Sequence, residues 1–209
     1  MKLTFQKDDL LNGINIVLKA VPSKTTMPIL ECILIDASDN QIKLTANDME
    51  LGIETKVEGS ILSRGKIALD AKLLSEIIRK LSGGESDITI ESDDKYNTTI
   101  TCDNSVFHIQ GKNGDEFSYL PFIEKDHFIC LSQFTLKEVI RQTLFSISVN
   151  DSNKMMTGEL FQVTDNELKV VSLDGHRMSI RKVELKDHYE NIKVIVPGKT
   201  LGEISKILN

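Results

Sequence analysis

The sequence is poor in cysteine: among its 209 residues there are three, Cys32, Cys102 and Cys130, and they lie far apart. An odd number of widely spaced cysteines argues against a disulfide framework and indicates reduced thiols in an intracellular protein. The chain also lacks any run of 18 apolar residues, so it offers no candidate for a membrane-spanning helix. Residues 1–7 alternate apolar and polar side chains, which predicts a strand rather than a signal peptide. We therefore expect no membrane partner.

An excess of positive charge is also lacking, because 25 lysines and arginines stand against 31 aspartates and glutamates, a net charge of -6. This balance argues against a protein that coats nucleic acid through uniform positive charge, although it leaves room for a local basic face. The sequence has no glycine-rich phosphate loop, no nucleophile motif and no cluster with metal-ligand spacing. We expect no cofactor and no metal site.

The periodicity of the chain predicts an α+β fold. Residues 41–46, 87–92, 98–102 and 167–171 alternate apolar and polar side chains, and turn-forming residues such as those at 164–166 separate such segments. Short strands of this kind favour antiparallel sheets. Helical periodicity predicts four helices, over residues 8–20, 71–81, 135–146 and 199–208. Asp8 is a possible N-terminal cap of the first helix, and Thr135 is a possible cap of the third.

An internal repeat divides the chain into two similar halves. At an offset of 126, residues 37–44 align with residues 163–170, and at 127 Lys72 aligns with Lys199 and Leu81 with Leu208. The repeat predicts two copies of one α+β domain, residues 1–126 and 127–209, in which residues 1–81 and 127–208 superpose. The second copy ends where the later strands of the first begin, so we expect a truncated second domain in a fragment of a longer protein.

Several segments resemble the bacterial sliding clamp family, the β subunit of DNA polymerase III, and the similarity covers the whole chain. The segments are Asp174-Gly175-His176-Arg177-Met178, Met27-Pro28-Ile29-Leu30, Val194-Ile195-Val196-Pro197 with Lys199, and the start Met1-Lys2-Leu3. The resemblance implies three repeated domains, of which the third is absent here, each with helices on one face and antiparallel sheets on the other. It also implies a head-to-tail homodimeric ring with helices lining the hole.

The resemblance further implies a processivity factor without catalytic activity of its own. Such a ring encircles duplex DNA independently of sequence and tethers the replicative DNA polymerase during DNA replication. Polymerase and clamp-loader subunits bind it through a short linear motif. The implied location is the bacterial cytoplasm, at the nucleoid.

Basic residues on the predicted helices are candidates for contact with DNA. Lys72 and Arg79 are seven residues apart and share a helix face, and Lys199 and Lys206 repeat this pair in the second copy. Ordinary surface ion pairs, such as Lys72 with Glu76, remain an alternative. The family resemblance adds two loop positions, Lys24 and Asn150, either of which could equally be an ordinary loop residue. The predicted DNA-facing set is Lys24, Lys72, Arg79, Lys137, Arg141, Asn150, Lys199 and Lys206.

Two further surfaces follow from the resemblance. The second-domain half of the groove for partner peptides maps onto Met156, Leu173, Gly175, His176, Arg177 and Met178. Leu173 stands where the family usually has threonine, and the two methionines suit a groove for several partners, with core packing as the alternative. The protomer interface maps onto the late strand that carries Ser105, Phe107 and Ile109.

Two other classes of function remain open from the residues alone. Asp174 and His176 are close enough in sequence for an enzyme with an unrecognised acid/base site. A β-rich interaction module without a role on DNA is the other alternative.

Overall fold

The computed structural model describes residues 1–81, 87–118, 120, 128–149 and 153–208. The chain forms two compact units, Met1–Phe122 and Ile123–Asn209. The domain boundary after residue 126 stays a prediction. Within the described ranges, no helix has the length and apolar character needed to cross a bilayer.

The described residues of the first unit form two five-stranded antiparallel sheets and two α-helices. Its helices are α1 (Lys7–Val17) and α2 (Ala71–Lys80). Its strands are β1 (Lys2–Phe5), β2 (Cys32–Asp36), β3 (Ile42–Asn47), β4 (Gly52–Val57), β5 (Ser60–Ser63), β6 (Lys66–Asp70), β7 (Ile88–Ser92), β8 (Asn97–Cys102), β9 (Ser105–Gln110) and β10 (Lys112–Asn113). One sheet has the order β5-β1-β7-β8-β9, and the other has the order β10-β6-β2-β3-β4.

An apolar core fills the first unit because its strands and helices each bury one apolar side. Helix α1 contacts α2, β3 and β4 and buries Leu10 and Ile14 completely. A β-carbon at Gly13 would come within 2.4 Å of Val57 Cγ2, so a glycine is what allows α1 to lie so close to β4. Helix α2 buries Leu74 and Ile78, and this leaves its other face to solvent.

The second unit has two α-helices and one long two-stranded ladder in its described part. Its elements are α3 (Gln133–Thr143), β11 (Gly158–Leu173), β12 (Met178–Pro197) and α4 (Gly198–Ile207). Strands β11 and β12 are antiparallel, with register shifts on either side of Asp165. Helices α3 and α4 contact each other and both strands, around a core that includes Ile140, Leu168 and Leu201.

The strand register confirms the internal repeat. In the first unit, Cys32 pairs with Asp70 across β2 and β6, and in the second unit the equivalent pair is Gly158 with Pro197. The pairing of Ile42 with Val57 across β3 and β4 likewise recurs as Leu168 with Val183. Strand β11 therefore spans the equivalents of β2 and β3, and β12 spans those of β4, β5 and β6. The predicted common fold holds for these strands.

The predicted helix caps are wrong, because both helices begin before their apolar stripe. Helix α1 starts after Gln6, which makes no side-chain capping bond, and Asp8 lies in the first helical turn. A carboxylate there still favours the helix through its dipole. Helix α3 is capped by Ser132, whose Oγ accepts a hydrogen bond of 3.0 Å from the Thr135 amide.

Candidate functional site

Helix α2 presents the predicted basic pair of the first unit to solvent. Lys72 and Arg79 are both exposed, two turns apart on this helix. Arg79 donates one guanidinium hydrogen bond of 3.2 Å to Ser75 Oγ, which steadies its stem on the helix. Neither side chain forms an ion pair with any residue that the structure describes, so the alternative pairing of Lys72 with Glu76 is absent here.

Helix α4 carries the corresponding basic residues of the second unit. Lys199 and Lys206 are both exposed. Lys206 Nζ lies 2.7 Å from Glu203 Oε1, three residues earlier on the same helix. The second unit therefore repeats the basic positions, but a neighbouring carboxylate partly neutralises one of them.

Helix α3 holds its two predicted basic residues differently. Lys137 is half-buried and donates a 2.8 Å hydrogen bond to the Leu208 carbonyl just beyond the end of α4. Lys7 of the first unit likewise donates to the carbonyl of Leu81, which follows α2. A lysine at a helix C-terminus satisfies a free carbonyl and interacts favourably with the dipole, so Lys137 has a structural role here.

Arg141 is the other basic residue of α3, and it is ion-paired. Its Nε and a terminal nitrogen donate to the two carboxylate oxygens of Glu138 at 2.8 Å and 2.7 Å. This bidentate contact holds the pKa of Glu138 below its usual range and raises that of Arg141. Arg141 and Lys206 therefore form ordinary surface ion pairs, which was the alternative to contact with DNA.

The two predicted loop contacts have different outcomes. Lys24 is exposed in an irregular segment before the short 3-10 turn Pro28–Glu31. Asn150 lies outside the described residues. The DNA-facing role of both stays a prediction.

The loop between β11 and β12 is a tight turn built on Asp174. Its Oδ1 accepts hydrogen bonds from the amides of His176 at 3.0 Å and Arg177 at 3.1 Å, and its Oδ2 accepts from Arg177 Nε at 2.9 Å. These bonds, above all the one from the His176 amide, hold the pKa of Asp174 below its ordinary range. Gly175 has a φ of 88°, a backbone conformation that is unfavourable for residues with a β-carbon.

The first unit contains the same turn at the position given by the repeat. Asp48 Oδ1 accepts hydrogen bonds from the amides of Glu50 at 3.1 Å and Leu51 at 2.8 Å, and Met49 takes a φ of 73°. A carboxylate that bends the chain in both copies is explained by turn geometry. The acid/base alternative is not favoured, because the described bonds of Asp174 involve the backbone amide of His176 and not its imidazole ring.

Of the remaining predicted groove residues, Leu173 and Met178 flank this turn at the ends of β11 and β12, and Met156 precedes β11. Met178 is 59% exposed, and Met156 and Leu173 are half-buried, so core packing does not account for Met178. A backbone hydrogen bond of 2.9 Å runs from the Ser148 amide to the Met156 carbonyl.

Sequence reasoning missed Phe145, which lies beside the turn. Its ring is 60% exposed, and the Arg177 guanidinium carbon lies 5.8 Å from the ring centroid. This distance is within the range of a cation–π contact. A large apolar residue off the buried stripe of α3 was the signal available in the sequence.

The predicted interface strand is an edge of its sheet. Strand β9 pairs with β8 on one side, and no other described strand pairs with it. Phe107 is 36% exposed, and Ile109 packs partly against the core. A cleft between β9 and α2 is lined by Leu73, Glu76, Ile77, Lys80, Phe107, His108 and Ile109.

Comparisons with known proteins cover both units. Residues 1–121 match the family model of the DNA polymerase III beta subunit, N-terminal domain, and residues 130–209 match that of its central domain. The chain is 36% identical over 217 aligned positions to the beta sliding clamp of Staphylococcus epidermidis, which covers all of this chain and 57% of that protein. The chain thus spans just over half the length of such curated relatives.

Solved structures agree with the sequence relatives. The crystal structure described as a DNA polymerase III beta subunit from Eubacterium rectale superposes with a TM-score of 0.96 at 64% identity, over 100% of this chain and 56% of that one. The DNA polymerase sliding clamp of Bacillus subtilis gives a TM-score of 0.95 at 37% identity, over 100% and 57% of the two chains. The chain therefore belongs to the family of the bacterial DNA polymerase III β subunit, the sliding clamp.

Proposed function

We propose that this chain supplies two domains of a processivity factor that encircles duplex DNA and tethers the replicative polymerase during DNA replication. The observation that carries the proposal is the pair of exposed basic residues on α2, Lys72 and Arg79, which are free of described ion pairs in a chain similar to sliding clamps along its whole length. Exposed basic side chains on such a helix, in a protein of net charge -6, suit a loose, sequence-independent hold on phosphates.

The proposed DNA contacts differ in strength among the predicted residues. Lys72 and Arg79 keep their full charge available, whereas Arg141 and Lys206 are each paired with a glutamate. Lys137 is engaged by a carbonyl, so we assign it a structural role ahead of a DNA contact. Within this proposal, α2 of the first unit contributes most of the attraction to DNA.

We also propose that the turn at Asp174 and the side chains flanking it form one wall of a groove for short partner peptides. Exposed Met178 and the adjacent Phe145 offer adaptable apolar surface, and the Asp174 bonds hold the loop that presents Arg177. The other wall would come from a third domain. If that wall contributes some 100 Å² of apolar burial, its absence lowers affinity by roughly 2.5 kcal/mol, or nearly two orders of magnitude.

A labelled clamp-binding peptide tests this groove by fluorescence anisotropy. We expect it to bind the 209-residue chain about 50-fold or more weakly than it binds the full-length Bacillus subtilis relative. A Met178→Ala variant should weaken the binding further. Equal affinity for the two proteins would show that the second unit makes the whole site.

The protomer contact follows from the edge strand β9. Its unpaired edge and the cleft beside Phe107 suit a strand from another protomer, which would extend the sheet. A head-to-tail homodimeric ring at the nucleoid in the bacterial cytoplasm, without catalytic activity of its own, completes the proposal. The 209-residue chain by itself is expected neither to close such a ring nor to remain topologically on circular DNA.

Charge reversal on α2 tests the DNA role most economically. The double variant Lys72→Glu, Arg79→Glu should weaken binding to a short duplex at low salt by about tenfold or more, and each lost phosphate contact should reduce the salt slope by roughly 0.9. The matched control is Lys56→Glu, Lys95→Glu, which changes the net charge equally at exposed positions on β4 and in the turn before β8. If both double variants lost the same amount of DNA affinity, the effect would come from net charge alone, and the proposed DNA-binding surface on α2 would be refuted.

A further inference from the structure

The core of the second unit contains a group of fully buried polar side chains that the first unit lacks. At an offset of 126, each of them takes the place of an apolar residue that is at most 1% exposed. The pairs are Val17 and Thr143, Ala20 and Ser146, Ile33 and Glu159, and Ala46 and Ser172. Since the first unit forms the same strand pairs with apolar residues here, the fold itself does not require polar groups at these positions.

The hydroxyl groups of this set are hydrogen-bonded. Ser172 Oγ donates to the Thr143 carbonyl at 2.6 Å, and Thr143 Oγ1 donates to the Val139 carbonyl at 2.7 Å. Ser146 Oγ and Ser179 Oγ lie 2.6 Å apart. Each hydroxyl therefore has a partner, as buried polar groups usually do.

Glu159 is the exception. Its side chain is 0% exposed, and neither carboxylate oxygen has a hydrogen-bond partner among the described residues. An ionised carboxylate in such a place has lost its hydration without a replacement, which is costly. Thr143 is the polar side chain that acts on this carboxyl, but its proton is already directed to Val139. Thr143 therefore favours the ionised carboxyl only weakly, and the cost of burial outweighs it.

No described charge compensates for an ionised Glu159. On α3, Glu138 and Arg141 pair with each other and Lys137 is bound to a carbonyl. The exposed lysines and arginines of β12 and α4 do not contribute to the pKa of Glu159; they are Arg181, Lys182, Lys186, Lys193, Lys199 and Lys206. Burial raises this pKa from 4.5 to about 7, and Thr143 offsets part of the rise.

We propose that Glu159 is a protonation switch in the core of the second unit. While its carboxyl is neutral, α3 stays packed against β11, and when the carboxyl ionises, the packing between α3 and β11 weakens. The folded unit binds the proton more strongly than the unfolded chain does. The stabilisation is therefore complete below pH 4.5 and is lost as the pH rises through about 7. Near neutral pH, the stability of the second unit should respond to small changes in pH, while the first unit has no corresponding group.

Glu159→Gln separates this switch from other titrating groups, because glutamine has the same shape and cannot ionise. From pH 5 to pH 8, the unfolding equilibrium constant of the parent chain should rise by roughly tenfold to a hundredfold more than that of E159Q, measured by urea unfolding at each pH. Hydrogen exchange should place this extra opening in α3 and β11. The matched control is Glu184→Gln, which makes the same chemical change at an exposed position of β12 and should leave the difference between the parent and E159Q in place.

A second measurement detects the titration of Glu159 directly in the parent chain, and E159Q serves only to assign the resonance. In the parent chain labelled with ¹³C at glutamate carboxyls, one resonance should titrate more than one pH unit above the others, and in E159Q it should be absent. Parallel pH profiles for the parent and E159Q would overturn the proposal. An ordinary titration near 4.5 for every glutamate would overturn it as well.

Discussion

The two units use one pattern of strand pairing to enclose different interiors. In the first unit, Ile33 and Ala46 complete an apolar core between two five-stranded sheets. At the same positions of the second unit, Glu159 and Ser172 are equally buried. The two units thus share one pattern of backbone pairing, while the buried side chains at these positions differ.

The turn at the end of β3 and of β11 shows the opposite behaviour. Asp48 and Asp174 make the same two backbone hydrogen bonds, although the residues around them differ. The shared aspartate is explained by geometry, whereas a role of the neighbouring His176 and Arg177 in recognition stays a proposal. Because the aspartate makes the same backbone bonds in both units, its role is structural. The residues that differ between the two turns are the candidates for binding.

The largest expected effect comes from exchanging the core residues between the units. Ile33→Glu places an unpartnered carboxyl in an apolar core and should cost about 4 kcal/mol or more of unfolding free energy at pH 8. Glu159→Ile removes such a carboxyl and should stabilise the second unit by about 2 kcal/mol at the same pH. Urea unfolding with hydrogen exchange resolved by unit measures both. Destabilisation of similar size by both variants would contradict the comparison of the two cores.

A smaller effect is expected at the shared turn. Asp48→Ala and Asp174→Ala should each lower the melting temperature by a few degrees, since each removes the acceptor of two backbone amides. The Asp174 contribution is present above its ordinary pKa of 3.8 and is lost as the pH falls through the lower folded value. Melting curves from pH 7 to pH 3 check this, and an Asp174→Ala chain should lose that part of the acid sensitivity. If the melting temperature of the Asp174→Ala chain fell between pH 7 and pH 3 as much as that of the parent, other carboxyls would be responsible for the acid sensitivity.

The smallest effect distinguishes the second residue of each turn. Met49 and Gly175 both have positive φ angles, of 73° and 88°. Met49→Gly should therefore stabilise the first unit by up to about 1 kcal/mol, and Gly175→Ala should destabilise the second by about 1 kcal/mol. No atom lies within 4 Å of a β-carbon built at Gly175, so backbone strain is the reason for the second effect. Changes of the same sign in both variants would show that the two turns are not equivalent.

Much of the fold could be predicted from the sequence because periodicity and repetition report buried faces. The helices over residues 71–81 and 199–208 agree with α2 and α4 to within a residue. The predicted turn at residues 164–166 coincides with the register shifts of β11, where Asp165 takes a φ of 55°. The equivalent residues 38–40 lie between β2 and β3, which pair with each other in antiparallel fashion, so turn-forming residues mark the same departure from regular strand geometry in both units.

The candidate site could be predicted only in part, because a residue type does not specify its partner. Spacing predicted the exposed faces of Lys72 and Arg79 correctly. It could not reveal that Lys137 donates to the Leu208 carbonyl, since this contact joins residues 71 positions apart. The burial of Glu159 was equally invisible, because a glutamate beside Gly158 at the start of a strand is typical of a solvent-exposed position.

The central claim is that the second helix of the first unit contacts DNA. Titrating a ¹⁵N-labelled 209-residue chain with a short duplex at low salt tests it most directly, since amide chemical shifts report the contact surface residue by residue. We expect the largest perturbations along Ala71–Lys80, smaller ones along Gly198–Ile207, and both to fade as salt is added. Perturbations centred on the strands β4 and β9, with α2 unchanged, would contradict the account.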